Sequence, residues 1–177
     1  MQKERIEFHA VMEKTTEYQC CAERMNYNFT VAVTAIVRNQ QGHFLAIKSP
    51  DPDRGWELPG GHLDERESIL DGLHREIYEE SGVEVTNLNL VAVYSNNQNS
   101  RIIFSFTADY LSGELTPSME SDEVRWFEEK ELKGKMGRKF ILDRFEDALL
   151  FNGKILHRTY MMKPYEILNE CFLSTDK

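Results

Sequence analysis

Long apolar runs are missing from this sequence of 177 residues. No stretch approaches the roughly 20 consecutive apolar residues that a membrane-spanning helix needs. The first residues, MQKERIEFHA, carry charges but no apolar segment of the kind that a signal peptide contains. We therefore expect no signal peptide, no membrane association and a cytoplasmic location.

Cysteine is scarce as well. The chain has three cysteines, two of them adjacent at Cys20 and Cys21, and no C-x₂-C pair. So few cysteines exclude a disulfide framework and argue against a zinc site built from cysteine and histidine. Free thiols in a reducing compartment are the better interpretation.

Positive charge is the third shortage. Lys and Arg number 21 against 30 Asp and Glu, which gives a formal net charge of -9. Non-specific binding to a nucleic acid backbone needs a basic surface, so we expect no DNA partner and do not expect an RNA 5′ end as substrate. A polyphosphate substrate stays compatible, because bound cations can invert the local charge.

The composition itself is that of an ordinary globular protein, with 41% hydrophobic and 29% charged residues. A chain of this length suits one domain with a sizeable core. We assign residues 29–177 to this domain and residues 1–28 to an N-terminal extension packed on it. The order of strand and helix signals indicates an α/β sandwich with a mixed β-sheet between helices.

The element signals come from hydrophobic periodicity and turn residues. Strands are predicted at residues 29–38, 43–48, 56–58, 83–94, 101–111, 123–127 and 155–161, the fourth with a break near Asn87. Helices are predicted at residues 68–81 and 140–150, with a helical start at 128–132 and a last helical turn or two at 165–172.

The helix at residues 68–81 has the clearest pattern. Its apolar residues recur at spacings of three and four and predict one stripe that faces a core: Ile69, Leu70, Leu73 and Ile77. Gly82 follows the last turn, where a left-handed capping residue is favoured. The sequence therefore predicts the C-terminal end of this helix.

Three glutamates on the same helix form a cluster. Glu76, Glu79 and Glu80 lie at i, i+3 and i+4, so their carboxylates project from one side, at the edge of the apolar stripe. Arg75 can pair with Glu79 but cannot neutralise three acids together with Glu67. Oxygen ligands of this kind suit Mg²⁺ or Mn²⁺, and a solvated acidic helix face is the alternative.

The wider pattern resembles the Nudix box, G-x₅-E-x₇-R-E-U-x-E-E-x-G-U, where U is bulky and apolar. The chain has Gly61, Glu67 and then REIYEESGV at residues 75–83, with Ile77 and Val83 at the U positions. All seven fixed positions match, a coincidence on the order of 10⁻⁸ per starting position at average residue frequencies. The resemblance to the Nudix hydrolase superfamily implies a Nudix-like α/β/α sandwich and metal-dependent hydrolysis of a nucleoside diphosphate linked to a group X.

The resemblance also implies a metal site. Glu76, Glu79 and Glu80 are expected to ligate Mg²⁺, with Mn²⁺ able to substitute. The backbone carbonyl of Gly61 is a further expected ligand, and Glu67 is expected to contribute through water or by supporting the helix.

Catalytic roles follow from the same resemblance. Arg75 is expected to orient a glutamate by a charge-assisted hydrogen bond. The base that activates water is a box glutamate in some members, here Glu76 or Glu79, and a downstream loop glutamate in others. Glu120 and Glu123 are the downstream candidates, and Glu120 is favoured slightly because loops close over sites more readily than strands. The alternative is that both are simply solvent-facing acids.

Substrate residues carry weaker signals. Arg54 could contact phosphate, Trp56 could stack on a base or belong to the core, and Arg101 is a further candidate. A basic cluster near the late helix hints at an anion site, with a solvated basic turn as the alternative: Lys133, Lys135, Arg138 and Lys139.

The substrate class is reached by elimination. The proline typical of members that act on ADP-ribose is missing from residues 97–99, the tyrosine typical of diadenosine polyphosphate hydrolases is replaced by Ser100, and a coenzyme A signature is missing. A nucleoside triphosphate-type substrate is the first choice. ADP-ribose, nucleotide sugars and a nucleotide-sensing module without catalysis stay open, as does a homodimer.

Overall fold

A computed structural model describes residues 29–173. Within that range the chain forms eight strands and three helices. The strands are β1 (Thr30–Arg38), β2 (Phe44–Lys48), β3 (Trp56–Glu57), β4 (Val83–Asn96), β5 (Arg101–Gly113), β6 (Glu123–Phe127), β7 (Ile155–Met162) and β8 (Tyr165–Leu173). The helices are α1 (Ile69–Ser81), α2 (Glu129–Lys135) and α3 (Lys139–Leu149). The predicted extension at residues 1–28 lies outside the described residues.

The strands form one mixed sheet in the order β3-β2-β1-β5-β4-β7-β8, with β6 paired to β2. Strand β1 runs parallel to β5, and β4 runs parallel to β7, whereas β4 and β5 are antiparallel. Helix α1 covers one face through Leu73 and Ile77, and α3 covers the other through Ile141 and Phe145. The predicted α/β/α sandwich with a mixed sheet is therefore confirmed.

Helix α1 has the predicted ends. The Ser68 hydroxyl accepts a 3.2 Å hydrogen bond from the Asp71 amide and caps the first turn. Gly82 adopts φ 72° and donates its amide to the Tyr78 carbonyl. The apolar stripe is narrower than predicted, because Leu70 lies half exposed in the first turn.

Strand β4 carries the predicted irregularity. Asn87 has φ 52°, and the pairing of β4 with β5 shifts register between Thr86 and Asn89. A short polar side chain tolerates this left-handed conformation better than an apolar residue does. The strand then continues beyond the predicted end to Asn96 and forms an antiparallel hairpin with β5.

The prediction of a helical turn at residues 165–172 is wrong. This segment is strand β8, which pairs with β7 in an antiparallel hairpin that joins Met162 to Tyr165 and Ile155 to Leu173. Short apolar segments fit helix and strand periods equally well, and pairing with the neighbouring strand decides between them. Among the helices within residues 29–173, none is long and apolar enough to cross a membrane.

Candidate active site

Three carboxylates from two separate parts of the chain converge at one end of α1. Glu76 and Glu80 come from the helix, and Glu120 comes from the loop between β5 and β6. One oxygen of each lies within 4.8 Å of the other two. Glu76 and Glu80 are buried, whereas Glu120 is exposed, so the cluster opens towards solvent on the side of Glu120.

Two glycines bring the backbone close to these acids. The Gly60 amide donates a 2.7 Å hydrogen bond to Oε2 of Glu80, and the Gly61 carbonyl accepts one of 2.8 Å from Val33 in β1. A Cβ on Gly61 would lie 2.4 Å from Oε1 of Glu76. A Cβ on Gly60, where φ is 143°, would lie 2.2 Å from the Val33 carbonyl oxygen. The close approach therefore requires glycine at both positions.

Arg75 organises a second group of acids beside the cluster. Its Nε and Nη2 each donate a 2.8 Å hydrogen bond to Glu67, and Nη2 also donates to the His62 carbonyl at 3.0 Å. Nη1 lies 3.0 Å from Oε1 of Glu76 and 3.1 Å from Oε2 of Glu79. The hydrogen bonds from Arg75 hold the pKa of Glu67 at about 2. Glu67 thus binds Arg75 and lies outside the three-carboxylate cluster.

Two of the clustered acids, Glu80 and Glu120, lack a matching positive charge. Burial raises the pKa of Glu80 to about 8, against the opposing effect of the Gly60 hydrogen bond. Burial also raises the pKa of Glu76. Within residues 29–173, no lysine, arginine or histidine nitrogen lies within 4.0 Å of a carboxylate oxygen of Glu80 or Glu120. A divalent cation bound by oxygen ligands would relieve this excess of negative charge, so the residues fit Mg²⁺ or Mn²⁺.

The two downstream glutamates occupy different environments. Glu120 belongs to the cluster, whereas Glu123 forms a 2.6 Å ion pair with Lys48 on the exposed side of β6. The helix glutamate Glu79 also lies outside the cluster, with its exposed side chain held by Arg75. Of the predicted acids, the structure brings together Glu76, Glu80 and Glu120.

A pair of adjoining cavities extends from the acids. One, of about 350 Å³, is lined by Glu80 and Glu120. The other, of about 200 Å³, lies between the sheet and α3. Arg54, Glu57 and Gly60 line both cavities. A molecule bound in the smaller cavity can therefore reach the acids past these three residues.

Of the predicted substrate residues, two line the cavities. Arg54 lies 3.2 Å from a carboxylate oxygen of Glu57, and Arg101 lines the smaller cavity with a buried Nε that has no acceptor among residues 29–173. Trp56 has the environment of the core alternative, because it is buried with its ring centroid 4.6 Å from that of Phe127.

The basic cluster separates into two kinds of residue. The three lysines form surface ion pairs with acids on their own helices: Lys133 with Glu129, Lys135 with Glu131 and Lys139 with Asp143. Arg138 instead enters the smaller cavity and forms an ion pair with Glu57. The solvated turn therefore describes the lysines, whereas Arg138 lines the smaller cavity.

Sequence reasoning missed Glu57 and Arg144. Glu57 bridges Arg54 and Arg138, and no local pattern marks that pairing across the chain. The sequence does distinguish Arg144. It lies three residues after Ile141 and therefore falls within the apolar stripe of α3. A charged residue on a buried helix face is uncommon without a specific partner.

Several known proteins resemble this chain in sequence and in fold. The model of the NUDIX domain matches residues 28–145. A MutT-like protein of Streptomyces ambofaciens is 33% identical over 120 residues, which cover 68% of this chain and 77% of that protein. An NAD-capped RNA hydrolase of Vibrio parahaemolyticus, named NudC, is 33% identical over 128 residues, covering 68% of this chain and 48% of that protein.

The fold has solved counterparts. A NUDIX hydrolase from Nitrosomonas europaea superposes with a TM-score of 0.66 at 28% identity, covering 76% of this chain and 80% of that one. Together with the complete box and the clustered acids, these matches establish that the chain belongs to the Nudix family. It is a Nudix-type pyrophosphohydrolase, an enzyme that cleaves phosphoanhydride bonds.

Proposed function

We propose that this enzyme hydrolyses a nucleoside diphosphate linked to a group X, with nucleoside triphosphate-type compounds as the first substrate class. The observation that carries the proposal is the convergence of Glu76, Glu80 and Glu120 beside a cavity that continues between the sheet and α3. The acids supply the reactive end, and the cavity receives the rest of the substrate. ADP-ribose and nucleotide sugars are the alternatives within the same reaction class.

We assign the metal ligands to the carboxylates of Glu76, Glu80 and Glu120. The Gly61 carbonyl is a further ligand, and Glu79 contributes from the exposed side of the site. Mg²⁺ is the proposed ion, and Mn²⁺ the proposed substitute, because every donor is a hard oxygen. When bound, such an ion neutralises charge on the anhydride and lowers the pKa of water.

The protein groups have separable roles in this proposal. Arg75 positions Glu76 through Nη1 and holds Glu79 on the exposed side of α1. The Gly60 amide orients Glu80. Glu120 is the carboxylate in the cluster that reaches solvent, so we assign to it the acceptance of the proton from the attacking water.

Arginines in the cavity suit the phosphates of the substrate. Arg54 and Arg138 flank the passage between the two cavities, where both contact Glu57. Guanidinium groups bind phosphate through paired hydrogen bonds. We therefore place the anhydride at this passage, between the acids and the arginines.

An RNA 5′ end is the second candidate substrate. The similarity to an NAD-capped RNA hydrolase favours it, although the net charge of -9 disfavours an extended RNA path. A short contact with the first nucleotide needs no such path, so the candidate is kept for testing.

A substrate panel with product identification by mass spectrometry tests the proposal. Purified protein with Mg²⁺ is incubated with nucleoside triphosphates, ADP-ribose, nucleotide sugars and 5′-capped or triphosphorylated short RNA. We expect cleavage of at least one class, lost in Glu80→Gln and retained in Glu166→Gln, which changes an exposed acid on β8. Calorimetric binding without any product would instead favour a nucleotide-sensing module, and no turnover or binding would refute both.

A further inference from the structure

Arg144 is a buried cation that faces the smaller cavity. The residue is 8% exposed, and its Nη2 donates a 3.0 Å hydrogen bond to the Tyr160 hydroxyl. Its guanidinium carbon lies 5.3 Å from the ring centroids of both Tyr94 and Phe140. These contacts hold the group in place, and most of its N–H donors have no acceptor within residues 29–173.

A counter-ion for Arg144 is missing within residues 29–173, where no carboxylate oxygen lies within 4.0 Å of the guanidinium. The other buried arginine of this region differs. Arg158 is paired with both oxygens of Asp147 and with Glu170. Arginine does not lose its proton in proteins, so burial leaves Arg144 charged. A buried cation without an anion is costly, and an anionic ligand would offset that cost.

Neighbouring groups add positive charge to the same cavity. Burial, followed by the charges of Arg54 and Arg144, lowers the pKa of Arg138 to about 10. The Nε atoms of Arg101 and Arg138 are buried and have no acceptor among the described residues. All four arginines line the cavity, and Glu57 is the one acid in its lining. The cavity is therefore built to receive negative charge.

The wall of the cavity at Tyr160, which Arg144 contacts, lies three strands from β1. The strand pairings connect the two sides of the cavity. Tyr160 in β7 lies opposite Asn96 in β4. Arg101 in β5 lies between Asn96 and Thr30, its partners in β4 and β1. Three inter-strand spacings correspond to about 14 Å between β7 and β1. Gly61, next to the acids, is hydrogen-bonded to β1. One anhydride cannot lie at the acids and at the Tyr160 side of the cavity together.

We propose that the substrate carries a second anionic group, a phosphate on the sugar, which Arg144 binds. This inference rests on the proposed function, which places the anhydride near the acids. Arginine suits phosphate because its planar fork matches two phosphate oxygens. The phosphate can be the monoester of a small molecule or the first diester of an RNA 5′ end, since both present the same oxygens to Arg144.

Matched ligand pairs test the proposal by binding, without metal and without turnover. Calorimetry compares the affinity for adenosine 5′-monophosphate with the affinities for adenosine 2′,5′-bisphosphate and adenosine 3′,5′-bisphosphate. The same comparison is made with the three guanosine compounds. We expect at least one bisphosphate to bind roughly 10-fold or more tightly than its monophosphate, as a charge-assisted hydrogen bond predicts. A 5′-phosphorylated dinucleotide separates the sources: affinity equal to the bisphosphate indicates RNA, and weaker affinity indicates a small molecule.

Variants separate the role of Arg144 from general charge. In Arg144→Gln the preference for the bisphosphate is expected to fall below about threefold, because one arginine-phosphate contact supplies most of it. Arg144→Lys keeps the charge in case the glutamine variant does not fold, and we expect it to retain only part of the preference. Arg125→Gln removes an exposed arginine of β6, outside the cavity lining, and is expected to keep the preference.

Equal affinity within every pair, no detectable binding, or full preference in both Arg144 variants would overturn the proposal. Hydrolysis is measured separately with Mg²⁺. Turnover without any bisphosphate preference would support the proposed function and refute the phosphate site. Bisphosphate preference without turnover would support the phosphate site and refute the proposed hydrolytic function.

Discussion

The Ser121 hydroxyl donates a 2.6 Å hydrogen bond to the main-chain carbonyl of Glu80. Both residues are buried. This contact ties the loop before β6 to the last turn of α1, although 41 positions separate the two residues. It fixes the neighbour Glu120 beside Glu80, and so a serine that carries no chemistry of its own holds the acid cluster together.

Replacement of Ser121 by alanine tests this tie. The buried Glu80 carbonyl would lose its partner, which costs about 1–3 kcal/mol of the free energy of unfolding. We also expect a lower kcat, because Glu120 would no longer be held beside Glu80. Urea unfolding and steady-state kinetics measure the two effects. Ser112→Ala, which removes an exposed hydroxyl that contacts Glu84, should change neither by much; equal losses in both variants would contradict the prediction.

The acids should couple stability to pH and metal. The pKa of Glu80 is raised to about 8 in the folded state, so the folded protein keeps a proton that the unfolded chain releases near pH 4.5. Its stabilising effect is complete below pH 4.5 and is lost as the pH rises through about 8. The raised pKa of Glu76 acts in the same direction.

We therefore expect the Tm of the metal-free protein to fall between about pH 7 and pH 9, a window above the lowered pKa of His62. Mg²⁺ should raise the Tm more at pH 9 than at pH 7, since carboxylates bind metal after losing their protons. Differential scanning fluorimetry measures both trends. Glu80→Gln should flatten the pH dependence, and an unchanged slope in that variant would assign the effect to other groups.

Gly61→Ala should disable the site with the fold intact. The new methyl group would lie 2.4 Å from Oε1 of Glu76 and push that carboxylate away from the cluster. We expect roughly a 100-fold or larger loss of kcat/KM, the effect typical of a misplaced group near a metal. Gly134→Ala in α2 is the matched control, because its Cβ would meet nothing within 4 Å and alanine favours a helix. Normal activity in Gly61→Ala would show that Glu76 can move without cost.

The two downstream glutamates give a direct comparison. Glu120→Gln should lower kcat by roughly 10²- to 10⁴-fold, as the loss of a general base does, since Glu120 lies within the acid cluster. Glu123→Gln should retain kcat within about threefold and lose only the ion pair with Lys48. Rates measured with one substrate at saturating Mg²⁺ decide the matter, and a larger effect at Glu123 would reverse the assignment.

The two adjacent glutamates of α1, Glu79 and Glu80, should differ in their importance for turnover. Glu80 is buried within the cluster, whereas the Glu79 side chain is 58% exposed and held by Arg75. Glu80→Gln should therefore lower kcat by at least about 10-fold more than Glu79→Gln, given the 10- to 100-fold effects of supporting groups at metal sites. Turnover over a range of Mg²⁺ concentrations separates weaker metal binding from slower chemistry. Equal losses would contradict this ranking and would mean that Glu79 contributes to the metal site as much as Glu80 does.

Sequence signals that depend on neighbouring residues predicted the end of a helix and the irregularity of a strand. Gly82 ends α1 as its capping preference requires, and the irregularity of β4 falls at Asn87. Contacts between distant segments were harder. Strand β8 exists because it pairs with β7, and the spacing of its apolar residues alone did not distinguish strand from helix.

The candidate site divides in the same way. The acids on α1 follow from helical spacing, but sequence alone did not separate Glu80 from Glu79, because burial depends on how the helix lies against Gly60. Trp56 and Arg54 are near neighbours in sequence, yet the first packs in the core and the second lines both cavities. Such differences arise from tertiary packing, which a pattern of residue types does not specify.

The family match ends at residue 145, whereas Tyr160 and Met162 on β7 form a wall of the smaller cavity. That wall is thus encoded outside the matched segment, whereas the clustered acids and most of the cavity lining lie within it. A change in the C-terminal hairpin can therefore reshape one wall of the cavity while the acids stay as they are. Exchanging that hairpin between relatives is accordingly a way to alter the cavity with the acid cluster preserved.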